Sequence, residues 1–203
     1  MLTEICKKLQ ARGGWWEDIL ANRCNFPIAP WNTFSNLAYV VAGVLAYVLN
    51  PTLAGLTMGL ALTFLGVGSG LYHGYKTIQT AQLDHAGMYV AFTSLTIYNL
   101  SPTHPLIGPL MAIVASIVAW RLVYTPNWDK LLYSMVGVFI AISTLSVALN
   151  GLFWYAVMGF STFGIAYAIW WADKKRVFPL QRLGHAIFHV LSAGALLLLF
   201  IGR

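Results

Sequence analysis

The chain has 203 residues, 59% of them hydrophobic, 14% aromatic and only 9% charged, with a formal net charge of +6. Soluble domains run near 45–50% apolar and about 25% charged. Charges this sparse cannot coat a globule of this size, which excludes a cytosolic enzyme, a nucleic-acid-binding domain and a disordered chain.

A membrane helix takes roughly 20 residues. Seven would need about 140 and leave about 60 for everything else, so the expected fold is an all-α integral membrane protein, a seven-transmembrane helix bundle. Residues 1–30 read as an amphipathic or interfacial lead-in, anchored by Trp15 and Trp16. Their scattered charges leave no uninterrupted apolar core of the kind a cleavable signal peptide needs. Cys6 and Cys24, in the same stretch, are too few for a disulfide framework.

Apolar runs punctuated by Pro, Gly, Asn and charge place the spans at 32–49, 53–73, 82–99, 106–124, 131–149, 152–172 and 183–201. Residues 31–203 thus form one membrane domain. Seven spans put the termini on opposite sides. Lys7, Lys8, Arg12, Arg23, Lys76, Arg121, Lys130, Lys174, Lys175, Arg176 and Arg182 then fall at the N-terminal side, and Arg203 alone at the other. This asymmetry predicts a cytoplasmic N-terminus and an outside C-terminus. Trp120, Trp128, Trp170 and Trp171 fall near the cytoplasmic face, as an aromatic belt does.

Ionisable groups inside a span are costly and mark function. Asp84 is the one carboxylate inside a predicted span, and His73, His85, His185 and His189 lie in spans or at their ends. His185 and His189 are four apart, on one helical face a turn from each other. That geometry suits a divalent metal; it also suits two histidines hydrogen-bonded in a polar bundle core. Ser69 and His73 share the same spacing near the end of span 2, and Asp84 opens span 3. Span 7 starts on the same side, so Ser69, His73, Asp84, His185 and His189 are expected at one depth in the cytoplasmic leaflet. Three imidazoles and a water complete a tetrahedral zinc site with an open position, leaving Asp84 for proton transfer and Ser69 for a hydrogen bond.

His85 points about 100° from Asp84 on a helix and reads as structural. His104, beside Pro105, has no assigned role. Tyr72, Tyr75, Gln79 and Gln82 lie near the cluster and read as interfacial residues. Arg121 is expected to snorkel to the headgroups, with Asp129 as an alternative partner. Gly66, Gly68 and Gly70 permit close helix approach and form no phosphate loop.

Four segments, in order, resemble the alkaline ceramidase family, within the superfamily of seven-span hydrolases that also holds the adiponectin-receptor-like proteins. They are Trp31-Asn-Thr-Phe-Ser-Asn36, Ser69-Gly-Leu-Tyr-His73, Asp84 at the expected distance, and His185-Ala-Ile-Phe-His189. The resemblance spans about 31–203. It implies a zinc-dependent hydrolase that cleaves the amide bond of a ceramide-like membrane lipid, with His73, His185 and His189 as zinc ligands. Ser69 and Asp84 are then the catalytic residues that contact the metal's water. One departure is plain: the stretch Asn22–Pro27 has no carboxylate where eukaryotic members carry a calcium-binding acidic cluster.

Three other readings compete. A receptor or sensor would use the zinc structurally. A lipid esterase would share the ligand set and differ in the bond cleaved. A metal or proton transporter would need polar residues continuing to the far leaflet, where spans 2, 3 and 7 read as largely apolar, as in Leu196–Ile201.

Overall fold

In a computed structural model of the chain, the residues described are 26–100, 128–175 and 183–202, with Val114, Ile117, Val118, Arg121 and Val177 between them. The lead-in with Trp15, Trp16, Cys6 and Cys24, most of the span predicted at 106–124, and His104 lie outside this set. All the elements described are α-helices: α1 Pro30–Ser35, α2 Leu37–Leu49, α3 Leu53–Tyr75, α4 Ile78–Leu100, α5 Trp128–Leu149, α6 Phe153–Lys174 and α7 Gly184–Ile201.

Local chemistry explains the breaks. Pro30 opens α1, where its missing N–H costs nothing. Asn36 separates α1 from α2, its amide bonded back to the carbonyl of Asn32, and the two run on as one span, Pro30–Leu49. Thr52 caps α3 by accepting from the amide of Gly55. Four helices are long and apolar enough to cross a membrane: Pro30–Leu49, α3, α6 and α7. Within α5, Ser134–Leu149 is a shorter apolar stretch. The 23 residues of α4 reach about 35 Å, but Gln79, Gln82, Asp84, His85 and Asn99 dilute its apolar character.

The outer surface is oily and the inside holds the polar groups. Val41, Val44, Val48, Leu60, Val67 and Val190 are exposed, whereas Asn32, Ser69, His73, Gln82 and Asp84 are buried. Water would penalise that inversion; lipid favours it. Helix α7 packs against α1, α2, α4, α5 and α6. Its Leu196, Leu199 and Phe200 join Leu62 and Met58 of α3 and Leu95 of α4 in the core.

Small residues set how closely the helices meet. A Cβ on Gly68 would lie 2.8 Å from the carbonyl oxygen of Leu83 and 3.2 Å from the amide nitrogen of Asp84. Gly66 meets the carbonyl of Asn36 in the same way, at 2.8 Å, whereas Gly70 has ordinary room. We therefore expect Gly68→Val to force α3 from α4 and cost about 1–3 kcal/mol. Thermal unfolding in detergent reads this out, and an unchanged midpoint would show that the crossing is not tight.

Two expectations are revised here. Asp173, one residue beyond the span predicted at 152–172, does not lie in a connecting loop: it belongs to the last turn of α6 and is buried, with its carboxylate packed on Gly184 at the start of α7. Gly184 admits it because a Cβ there would lie 2.5 Å from that of Asp173. The far half of span 3 is also less apolar than expected. In α4, Thr96 hydrogen-bonds Ser143 of α5 at 3.1 Å, and Asn99 accepts from Ser146 through its backbone carbonyl at 2.6 Å. These groups join helices, as hydroxyls and amides commonly do in membranes.

Candidate metal centre

Two helices supply the three histidines of the centre. His73 lies in the last turn of α3, and His185 and His189 occupy the first two turns of α7. All three are buried. Their ring centroids lie 4.8 Å apart for His73 and His185, 5.0 Å for His73 and His189, and 4.6 Å for His185 and His189. One nitrogen from each can be chosen so that all lie within 4.8 Å of one another. Tetrahedral ligation at about 2.1 Å puts donor atoms roughly 3.4 Å apart. The donor set is therefore right in kind and needs only a small inward movement to hold a metal ion.

The first helix supports one of these rings. Asn32, Ser35 and Asn36 line the inner face of the α1 region, while Trp31 and Phe34 point outward. Ser35 Oγ lies 2.8 Å from Nδ1 of His189, and the His189 ring also donates to the backbone carbonyl of Asn32. An outer hydrogen bond of this type sets an imidazole's tautomer and orientation for metal binding. The segment 31–36 thus has a physical task that its sequence did not disclose.

Ser69 and Asp84 form a second unit beside the histidines. The Gly68 crossing brings α3 and α4 close enough for the Ser69 hydroxyl to donate to the Asp84 carboxylate. Both side chains are buried, Asp84 with 8% of its surface exposed. Lys76, which the sequence reading treated only as a positive charge at the membrane face, links the two units. Its Nζ lies 3.3 Å from Nδ1 of His73, and its charge also acts on Asp84, His185 and His189.

The other nearby residues divide. His85 is buried, with its ring 6.4 Å from that of Tyr72, and is not one of the three clustered histidines. Tyr72 packs on His73 at 5.3 Å, and Gln82 is fully buried, deeper than an interfacial residue. Tyr75 is exposed and stacks on Phe26; Gln79 is exposed, as is Arg121. Among the described residues, these three histidines form the one group suited to a metal. Compared with protein-family models and with curated proteins, the chain shows no match.

Proposed function

We propose that the protein is a zinc-dependent intramembrane hydrolase that cleaves the amide bond of a ceramide-like N-acyl lipid to a free fatty acid and an amine. The observation that carries this reading is a buried three-imidazole cluster beside a hydrogen-bonded Ser69–Asp84 pair. A purely structural metal site has four protein ligands, whereas three histidines leave a position open. The ordered likeness to alkaline ceramidases in Trp31–Asn36, Ser69–His73, Asp84 and His185–His189 gives the reaction class.

His73, His185 and His189 would hold the zinc. When bound, zinc supplies Lewis acidity and lowers the pKa of a water to about 7. Asp84 then takes a proton from the attacking water and passes it to the leaving nitrogen, acting as general base and then acid. Ser69 orients that carboxylate and offers its hydroxyl to the developing oxyanion. Ser35 and the Asn32 carbonyl keep the His189 ring in place. The apolar walls of α2, α3 and α7 suit acyl chains.

The same reading takes the helices as a seven-span bundle, with the span at 106–124 between α4 and α5. The N-terminus and the mouth of the site face the cytoplasm, and the C-terminus lies outside, as the positive charges imply. The test is to incubate purified protein with an N-acyl sphingosine in mixed micelles and assay free fatty acid. Release that 1,10-phenanthroline abolishes and zinc restores is the expected result. Release that the chelator leaves untouched, or none from any N-acyl lipid by a zinc-loaded protein, would overturn it. A sensor with structural zinc predicts the latter, and an esterase predicts turnover of acyl esters alone.

A further inference from the structure

The two helices that carry the clustered histidines, α3 and α7, each pack closely on α2 but have little backbone contact with each other. The separation of His73 from His185 and His189 therefore depends on what α2 places between them. Tyr39 of α2 occupies that position and is buried. Its Cβ rests on α3, where a Cβ on Gly66 would lie 3.1 Å from it. The side chain then crosses to α7. Its ring centroid lies 6.1 Å from that of His189, and its hydroxyl meets Ser192 Oγ at 2.5 Å. By helical rise, Gly66 lies about 10 Å along α3 from His73, and Ser192 about 4.5 Å along α7 from His189. The charge of Asp84, on α4, reaches the same phenol.

The direction of the Tyr39–Ser192 bond is fixed by the other bonds of the serine. Ser192 is buried and donates to the backbone carbonyl of Phe188 at 2.5 Å, with the carbonyl of His189 at 3.3 Å. A hydroxyl has one hydrogen, so Ser192 Oγ accepts from Tyr39 and the phenol donates. Accepting that bond polarises the serine hydroxyl and strengthens the bond it makes in turn. That second bond ends on the backbone of the turn that carries His189. Ser35 thus holds the His189 ring from outside, while Tyr39 holds the backbone beneath it.

Resting on the metal centre of the hydrolase reading, we propose that Tyr39 is a positioning residue of that centre: its hydroxyl, acting through Ser192, sets His189 of α7 against His73 of α3. The separation matters because the three donor atoms lie within 4.8 Å of one another, and tetrahedral ligation brings them to about 3.4 Å. A small slip of α7 along its axis takes two of the three ligands with it. Phenylalanine would fill nearly the same space and keep the contact with Gly66, so the effect belongs to the hydroxyl.

Zinc affinity by chelator competition, in detergent-purified wild type, Tyr39→Phe, Ser192→Ala and the double variant, tests this. The visible absorption of cobalt loaded in place of zinc reports the ligand geometry in the same proteins. Thr96→Val is the control, because it removes a hydroxyl tie of α4 to Ser143 of α5 that touches no histidine. Tyr39→Phe should weaken zinc about tenfold and change the cobalt spectrum. Ser192→Ala should do the same, and the double variant should be no weaker than either, since both changes break one chain of bonds. Thr96→Val should lower the unfolding midpoint and leave zinc affinity at the wild-type value. Should Tyr39→Phe fail to fold, Ser192→Ala carries the prediction alone. Unchanged zinc affinity in the variants, additive losses at Tyr39 and Ser192, or an equal loss in Thr96→Val would overturn the positioning role while leaving the metal centre in place. A folded wild type that binds neither metal would overturn both.

Discussion

Asp84→Asn is expected to reduce amide hydrolysis at least about a thousandfold while leaving zinc bound and the fold intact. The size follows from two losses. General acid–base catalysis is commonly worth 10²–10⁴-fold, and in this mechanism one side chain serves both the attack and the departure of the amine. Asparagine keeps the shape and can still accept from Ser69, so α3 and α4 should stay in register at Gly68. The proposed ligands are other residues, the three clustered histidines, which is why zinc content should not fall. Steady-state hydrolysis, with metal analysis of the same preparation, checks the pair of outcomes. Undiminished turnover would remove Asp84 from the mechanism, and loss of zinc would make it a ligand instead. Ser69→Ala should retain part of the activity, because it removes an orienting hydrogen bond and leaves the base.

The second large effect separates a ligand from its support. His189→Ala should abolish stable zinc binding, since two imidazoles remain. Ser35→Ala, which removes the hydroxyl 2.8 Å from the His189 ring, should weaken zinc about tenfold; outer partners are typically worth 10–100-fold in metal affinity. The residual Asn32 carbonyl contact argues for the lower end. Competition with a chelator of known affinity measures both. A Ser35→Ala protein that binds zinc like wild type would show that α1 does not orient His189.

The contrast between these two residues shows what was legible in the sequence. Helix ends were readable because they are local: Asn50-Pro51 and Asn150-Gly151 stop helices through backbone chemistry, and α2, α3, α5, α6 and α7 end within about three residues of the predicted points. The three histidines were readable because helical spacing and a shared leaflet bring polar groups of different spans together. Asn32 and Ser35 stood inside a quoted motif, but their task depends on the contact of α1 with α7, which no local pattern encodes. Lys76 was read as one more charge on the cytoplasmic side; its place one turn beyond His73 was the available signal. Asp173 looked like a loop acid beside Lys174 and Lys175, and only the packing of Gly184 shows that it closes a helix.

The central claim is that spans far apart in sequence share one zinc ion. Elemental analysis of the detergent-purified protein, with His73→Ala from α3 and His185→Ala from α7 alongside, tests this most directly. The account predicts about one zinc per wild-type chain and loss of it in each variant, because both helices contribute ligands. A folded wild type that takes up no zinc even when supplied with it, or a variant that keeps its zinc, would contradict the shared centre.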